Sequence, residues 1–352
     1  MTRRRKIPVV PNSVVDRDGA PHFGSFSGEL PTVALDRLRG EYAPAWWKWK
    51  IRRKRWHYVI AVTDEVILCQ AVVDGRYFGQ SFFYAVDLYE ERVVVHNIFT
   101  GLPDIQARVN DRPARGHLAA FGAPGVHLST HRGPVSDPYQ WKATLNSFLT
   151  GKPGGLRLDA QIDPRGQSPA LTVIAPVLDG GIVNVTQKWA GLPTTGRLEV
   201  GSRSYRLDDG VAGLDYTQGI LGRRTAWRWS MALGHLSDGR RVGINLVAGF
   251  NDDHPTANEN ALWVDDRLIP LDRAEFEFEK DEPSRPWSVR TSDGVVELYF
   301  QPYYVHRDVR NLGVINSYFI QPAGRFDGRL VIDGKTHHVV LHGVTEDQDV
   351  RW

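Results

Sequence analysis

Beyond Tyr58 the chain is one short apolar run after another, each closed by a tight turn. Tyr58 to Val62, Val66 to Val73, Gln80 to Leu88 and Arg92 to Phe99 are rich in β-branched and aromatic residues. Asp64-Glu65, Asp74-Gly75 and Glu90-Glu91 punctuate them. Such spacing suits an antiparallel meander that closes into a barrel or sandwich. The pattern resumes at Leu156 to Ile162 and Leu171 to Val177, then continues from Ile182 to Leu341. Asp238-Gly239 and Asp333-Gly334 are composed as hairpin turns. Helix signals are scarce; Asp137 to Leu149 reads as either a short helix or another strand. There is no Rossmann glycine fingerprint, no P-loop and no βαβ alternation. The fold class expected is all-β.

At 352 residues the chain calls for two domains or one large barrel. Gly and Pro accumulate between Thr150 and Gly181, so the expected division is an arm over 1–45, a first barrel over 46–165 and a second over 166–352. A formal net charge of +2 provides no global field toward nucleic acid or membrane. Cys69 is the single cysteine, so no internal disulfide exists, and its apolar run reads as a buried, inert thiol. The opening Arg3, Arg4, Arg5 and Lys6 suit a signal peptide's charged start. Pro8, Pro11, Asn12 and Asp16 interrupt any apolar stretch after it. With no run long enough to span a bilayer, a soluble cytoplasmic protein is expected.

Trp46 to Tyr58 interleaves aromatics with cations. Such a stretch can stack on bases, lie at a lipid interface, or enter a barrel as an amphipathic strand with its Lys and Arg stems turned outward. The strand reading is preferred because no single-strand-binding pattern repeats elsewhere. No specific nucleic-acid partner is expected, and at most weak membrane-surface contact.

Chemistry concentrates between Gly213 and Trp263. Trp227 and Trp229 alternate with Arg228 and Ser230, which puts both indoles on one face of a strand. Asn245 shares a face with Gly243 and Val247, and a buried amide must be hydrogen-bonded by protein or ligand. Asp215 is read in a turn over Gly213–Gly219, beside Tyr216, and Glu259 sits between Asn258 and Asn260. A carboxyl facing an aromatic cavity is raised by desolvation and can act as a general acid, with indole faces beside the cation it creates. The bland readings are an Asx turn for Asp215, a salt bridge from Glu259 to Arg223 or Arg224, and plain core for the tryptophans. Glu346, near the terminal Arg351-Trp352, is a third acid; Trp352 reads as a plug. His338 and His342 would stand about 13 Å apart on one strand face, too far to share a metal, and no HExxH, CxxC pair or GxSxG elbow occurs.

The segments LDYTQG, RRTAWRW, GRRVGINLVAGFN, NENALWVDDRLIPL and HGVTEDQDVRW together resemble a bacterial family recorded as a domain of unknown function, over about Arg55 to Trp352. More distantly, that family is similar to the double lipocalin-like group of carotenoid 1,2-hydratase and tocopherol cyclase. The resemblance implies two consecutive lipocalin-like, calycin-type barrels with a hydrophobic ligand cavity. For the hydratases it also implies acid-catalysed addition of water to an isoprenoid double bond.

The expected function is therefore binding of a hydrophobic small molecule, a lipid, acyl or isoprenoid-like compound, in a β-barrel cavity. The alternative is a hydratase, isomerase or cyclase that uses a buried carboxylate on an alkene. Asp215 and Glu259 are the candidate catalytic acids. Tyr216, Trp227, Trp229, Asn245, Asn258 and Asn260 are the candidate ligand contacts. No metal and no cofactor are expected.

Overall fold

The structure, a computed structural model, describes residues 7–135, 137–252, 254–311 and 316–351. Its strands form two antiparallel sheets, one of fourteen strands and one of nine. The first curls into a near-barrel and the second into a half-barrel, the arrangement of a double lipocalin-like fold. No helix among the described residues is long and apolar enough to cross a membrane.

The first sheet opens with the expected meander: Arg53–Val62, Val66–Asp74, Gly79–Asp87 and Arg92–Gly101. Gly210–Ile220 then pairs with both Arg53–Val62 and Val183–Val200, tying the start of the sheet to its end. The second sheet is carried by Arg224–His235, Arg241–Ala248 and three long strands, Val296–Asn311, Asn316–Ile332 and Lys335–Arg351.

The sheets change over at residues 221–223, not in the Gly/Pro-rich stretch where the sequence placed the division. Leu171–Pro176, Val183–Val200 and Gly210–Ile220 all belong to the first sheet. The glycines of that stretch serve local turns instead: Gly151, Gly154, Gly155, Gly166 and Gly180 all have positive φ. The arm contributes as well. Its Gly24–Ser27 pairs with Leu171–Pro176, and Leu30, Val33, Leu35 and Leu38 are buried.

Two local readings are corrected. Trp46–Ile51 is a helix, and the strand begins at Arg53. Helical spacing stacks Lys50 Nζ on the Trp46 ring at 5.5 Å while Trp49 packs on the core. Asp215 lies inside the Gly210–Ile220 strand, not in a turn. In the undecided 137–149 stretch, Tyr139–Leu145 is a strand and Ser147–Thr150 a helical turn capped by Asn146. Trp352 lies outside the described residues.

Strand alternation then sorts the core. Along Gly210–Ile220, Leu214, Tyr216 and Gln218 turn into the first near-barrel, while Asp215 and Thr217 turn toward the second sheet. Along Arg224–His235, Trp227, Trp229, Met231 and Leu233 pack with the first sheet's core, whereas Ala232 joins the half-barrel's own core of Ile244, Leu262, Trp287 and Phe326. The two sheets thus share a layer of side chains.

At one point the two backbones approach closely. The Val183–Val200 strand carries a bulge between Trp189 and Leu192, with Gly191 at φ +79°. Gly243 of the second sheet lies against it: a Cβ on Gly243 would stand 2.4 Å from Gly191 N. Only a side chain of hydrogen allows the backbones to meet there.

Candidate active site

Between the two sheets lies a cavity of about 120 Å³. It belongs to neither barrel interior. The first sheet supplies Trp56, Tyr58, Phe82, Lys188, Asp215 and Thr217. The second side supplies Trp227, Trp229, Glu259, Phe319, Gln321 and Glu346. Trp56, Trp227, Phe250, Phe319 and Gln348 are part-exposed and form the mouth, while the charged groups are buried.

The aromatic wall is built from both sheets. Trp56 and Trp227 stack with centroids 5.8 Å apart and planes 14° apart. Tyr58 meets Trp229 edge-on at 5.1 Å. These geometries are the favoured offset and T-shaped arrangements of aromatic pairs.

Against that wall sits a cluster of charge. Lys188 and Asp215 are register partners on adjacent antiparallel strands, and Lys188 Nζ donates to Asp215 Oδ2 at 2.5 Å. Glu259 Oε2 lies 3.6 Å from the same ammonium, which also stands 5.7 Å above the Trp229 ring. Thr186 and Thr217 hydroxyls lie 3.3 Å from Asp215 Oδ1. Burial works against the Lys188 charge, yet Asp215 and Glu259 more than offset it, and the ammonium titrates above its ordinary range. Burial raises Glu259, although Lys188 opposes the shift.

Glu346 is held separately. Trp227 Nε1 donates to its Oε1 at 2.7 Å, and Gln321 Nε2 to its Oε2 at 2.8 Å. The Gln321 amide is oriented in turn by Tyr84, whose hydroxyl donates to Gln321 Oε1 at 2.7 Å. Burial pushes the Glu346 carboxyl up to about 7; the two donors pull the other way, and Asp215 adds to the rise. A carboxyl in that range is populated in both protonation states at neutral pH, as a general acid requires.

The residues singled out in the sequence divide cleanly. Asp215, Glu259, Trp227 and Trp229 line the cavity. Tyr216 faces away: its hydroxyl donates to Asn110 O at 2.9 Å inside the near-barrel. Asn245 is one layer behind, accepting from Trp229 Nε1 at 2.7 Å and donating to the Glu259 carbonyl at 2.8 Å, so it fixes both residues without reaching the cavity itself. Asn258 donates to Leu271 O and Asn260 accepts from Val247 N, both as loop supports. Arg224 pairs with Asp349, leaving Glu259 to Lys188. Lys188 and Gln321 escape the sequence reading; Trp56 and Tyr58 appear there only within the Trp46 to Tyr58 stretch, and Glu346 as a third candidate acid. Lys188 alone had a signal: a cation inside the otherwise uncharged run Ile182 to Leu192. Cys69 is buried beside the Tyr58 hydroxyl, and burial pushes its thiol up to about 12. Among the described residues no group of His, Cys, Asp and Glu is arranged to hold a metal.

The fold and this cavity define a double lipocalin-like protein with an aromatic, acid-bearing chamber between its sheets. By sequence the chain belongs to the family described as domain of unknown function DUF2804, which matches residues 5–352. Among curated proteins, none matches the chain. Solved structures share the fold at low identity. An AttH-type protein of Nitrosomonas europaea is 12% identical, with a TM-score of 0.52 over 97% of this chain and 98% of that one. Kievitone hydratase from Nectria haematococca is 12% identical, with a TM-score of 0.51 over the same shares. CghA with Sch210972 is 11% identical, with a TM-score of 0.50 over 97% of each chain.

Proposed function

We propose that the cavity binds an unsaturated, apolar small molecule and protonates it, with Glu346 as the general acid. One observation carries this reading: a buried carboxyl, raised to about 7 and held by Trp227 and Gln321, in an aromatic wall. Burying ionisable groups costs several kcal/mol each, roughly, unless they are paired. A passive carrier gains nothing from a carboxyl that, among the described residues, has no counter-ion in contact with it. That a hydratase shares the fold is consistent with the proposal but comes from a protein only 12% identical.

In the proposed step the Glu346 O–H bond breaks and its proton forms a C–H bond on the alkene. The cation left on the neighbouring carbon faces the Trp227 and Trp229 rings. Water then adds to it and gives its extra proton to the Glu259 carboxylate; Glu259 releases that proton to solvent and Glu346 takes one back, so the net change is addition of one water. Loss of a different proton from the cation would give an isomer, and capture by an internal hydroxyl would give a ring. Asp215 keeps Lys188 in place and so fixes the field across the chamber.

Incubation with prenylated phenols and terpenoid alcohols in D2O, followed by mass spectrometry, tests the reading. Deuterium incorporation is expected with the native chain and not with Glu346→Gln, while an apolar fluorescent probe still binds both. Tight binding without any deuterium uptake would favour the carrier reading, which the apolar lining alone supports.

A further inference from the structure

We propose that the chamber selects its ligand by charge, accepting uncharged or amine-bearing apolar molecules and excluding carboxylates such as free fatty acids. The inference rests on the cavity reading above but not on the protonation step.

Among the described residues the lining carries three carboxyls, Asp215, Glu259 and Glu346, and a single cation, Lys188. Among the described residues no arginine and no histidine lines it. Lys188 is not available to an incoming anion. Its ammonium is bonded to Asp215 at 2.5 Å and has Glu259 3.6 Å away, and the Trp229 ring covers it at 5.7 Å. Arg224 and Arg228 share a strand with Trp227 but alternate to its other face. There they pair with Asp349 at 2.6 Å and Asp347 at 3.5 Å. The chamber is therefore neutral at best, when Glu259 and Glu346 both hold protons, and negative otherwise.

A carboxylate entering such a space would lose its hydration, meet no free donor cation and face like charges through a weakly screening interior. An alcohol avoids all three penalties. A protonated amine gains from the aromatic lining of Trp56, Trp227, Tyr58 and Phe319 and from the charge of the carboxyls. The mouth is lined in the same sense, by Trp56, Trp227, Phe250, Phe319 and the Gln348 amide, and among the described residues no cation lines it. A fatty-acid site needs the opposite, a cation left free for the head group.

A matched series isolates charge from shape: dodecanol, dodecylamine and dodecanoate, each displacing neutral N-phenyl-1-naphthylamine at pH 8, below the critical micelle concentration. The alcohol and the amine are expected to bind at least tenfold more tightly than the carboxylate. Asp215→Asn should free Lys188 and raise dodecanoate affinity at least tenfold, with circular dichroism confirming that the variant is folded. Should it not fold, Glu346→Gln, which removes negative charge and leaves the Lys188 pair intact, should narrow the alcohol-to-carboxylate ratio at pH 8. Equal binding of all three by the native protein overturns the selectivity while leaving the cavity reading intact. Absence of binding by all three and by the naphthylamine overturns both.

Discussion

Lys188 and Asp215 face each other directly across two strands of the first sheet, and the 2.5 Å contact between them lies on the wall shared with the second sheet. An ion pair in that position is held by its partner, not by water. Lys188→Met leaves Asp215 buried with its charge uncompensated, and the expected loss of stability is about 3–5 kcal/mol. The double variant Lys188→Met, Asp215→Leu should recover most of that loss, because well-packed apolar residues of similar volume replace such pairs at little cost. Urea unfolding of the single and double variants measures this. Additive losses would mean that the pair is not coupled.

Glu346 imposes a pH dependence on stability whose sign is fixed. Its folded value, about 7, is above the ordinary 4.5, so the folded chain keeps this proton where the unfolded chain has lost it. The associated stability is complete below pH 4.5 and is lost as pH rises through 7. The shift corresponds to about 3 kcal/mol at most, at 1.36 kcal/mol per pH unit. Glu346→Gln should therefore be more stable than the native chain at pH 8, relative to pH 4.5, with a flatter profile between. Glu259 is raised as well, so some slope should persist. Thermal melts at both pH values decide it; identical slopes in the two proteins would refute the assignment.

How much of this could be read from the chain depends on range. The all-β class was legible because period-two runs and turn residues are local signals. The shared face of Trp227 and Trp229 was legible for the same reason. Asp215 was misread as a turn residue because Gly213 and Gly219 flank it, yet both glycines lie in the strand. Gly213 faces Met231, and Gly219 faces the Asn184 side chain. Tyr216 was grouped with Asp215 although alternation sends adjacent residues to opposite faces. The partners Lys188, Gln321 and Glu346 come from strands far apart in sequence, and pairing between strands is what a single sequence does not specify. The division between sheets was misplaced because turn glycines and linker glycines look alike in composition.

Gly243 is a position at which the backbones of the two sheets come close. A methyl group there would meet the Gly191 nitrogen at 2.4 Å and the Ala190 side chain at 2.6 Å. Gly191 is already bulged, so backbone would have to move. Gly243→Ala should cost at least the 1–3 kcal/mol, roughly, of an overpacked core, and it should shift Lys188, two residues before Ala190, relative to Glu259. Gly239→Ala serves as a control of a different kind. There a Cβ meets nothing within 4 Å, and only the positive φ of +86° opposes it, so stability should fall by about 1–2 kcal/mol while probe binding in the chamber stays unchanged. If Gly243→Ala leaves probe binding as native, the junction does not set the chamber's geometry.

Trp227 joins the wall to the acid. Its ring stacks on Trp56 and its nitrogen donates to Glu346, so Trp227→Phe keeps much of the first contact and removes the second. That hydrogen bond favours the carboxylate. Its loss should raise Glu346 further above 7, by about one to two units if the bond contributes the 1.5–3 kcal/mol usual for a charged acceptor. The variant should be nearly as stable as the native chain at pH 5, where Glu346 is protonated in both, and clearly weaker at pH 8, where the native carboxylate has its donor and the variant's does not. Carbon-13 NMR of labelled glutamate side chains follows the titration directly. A carboxyl that titrates at the native position in Trp227→Phe would show that the indole packs against Glu346 without tuning it.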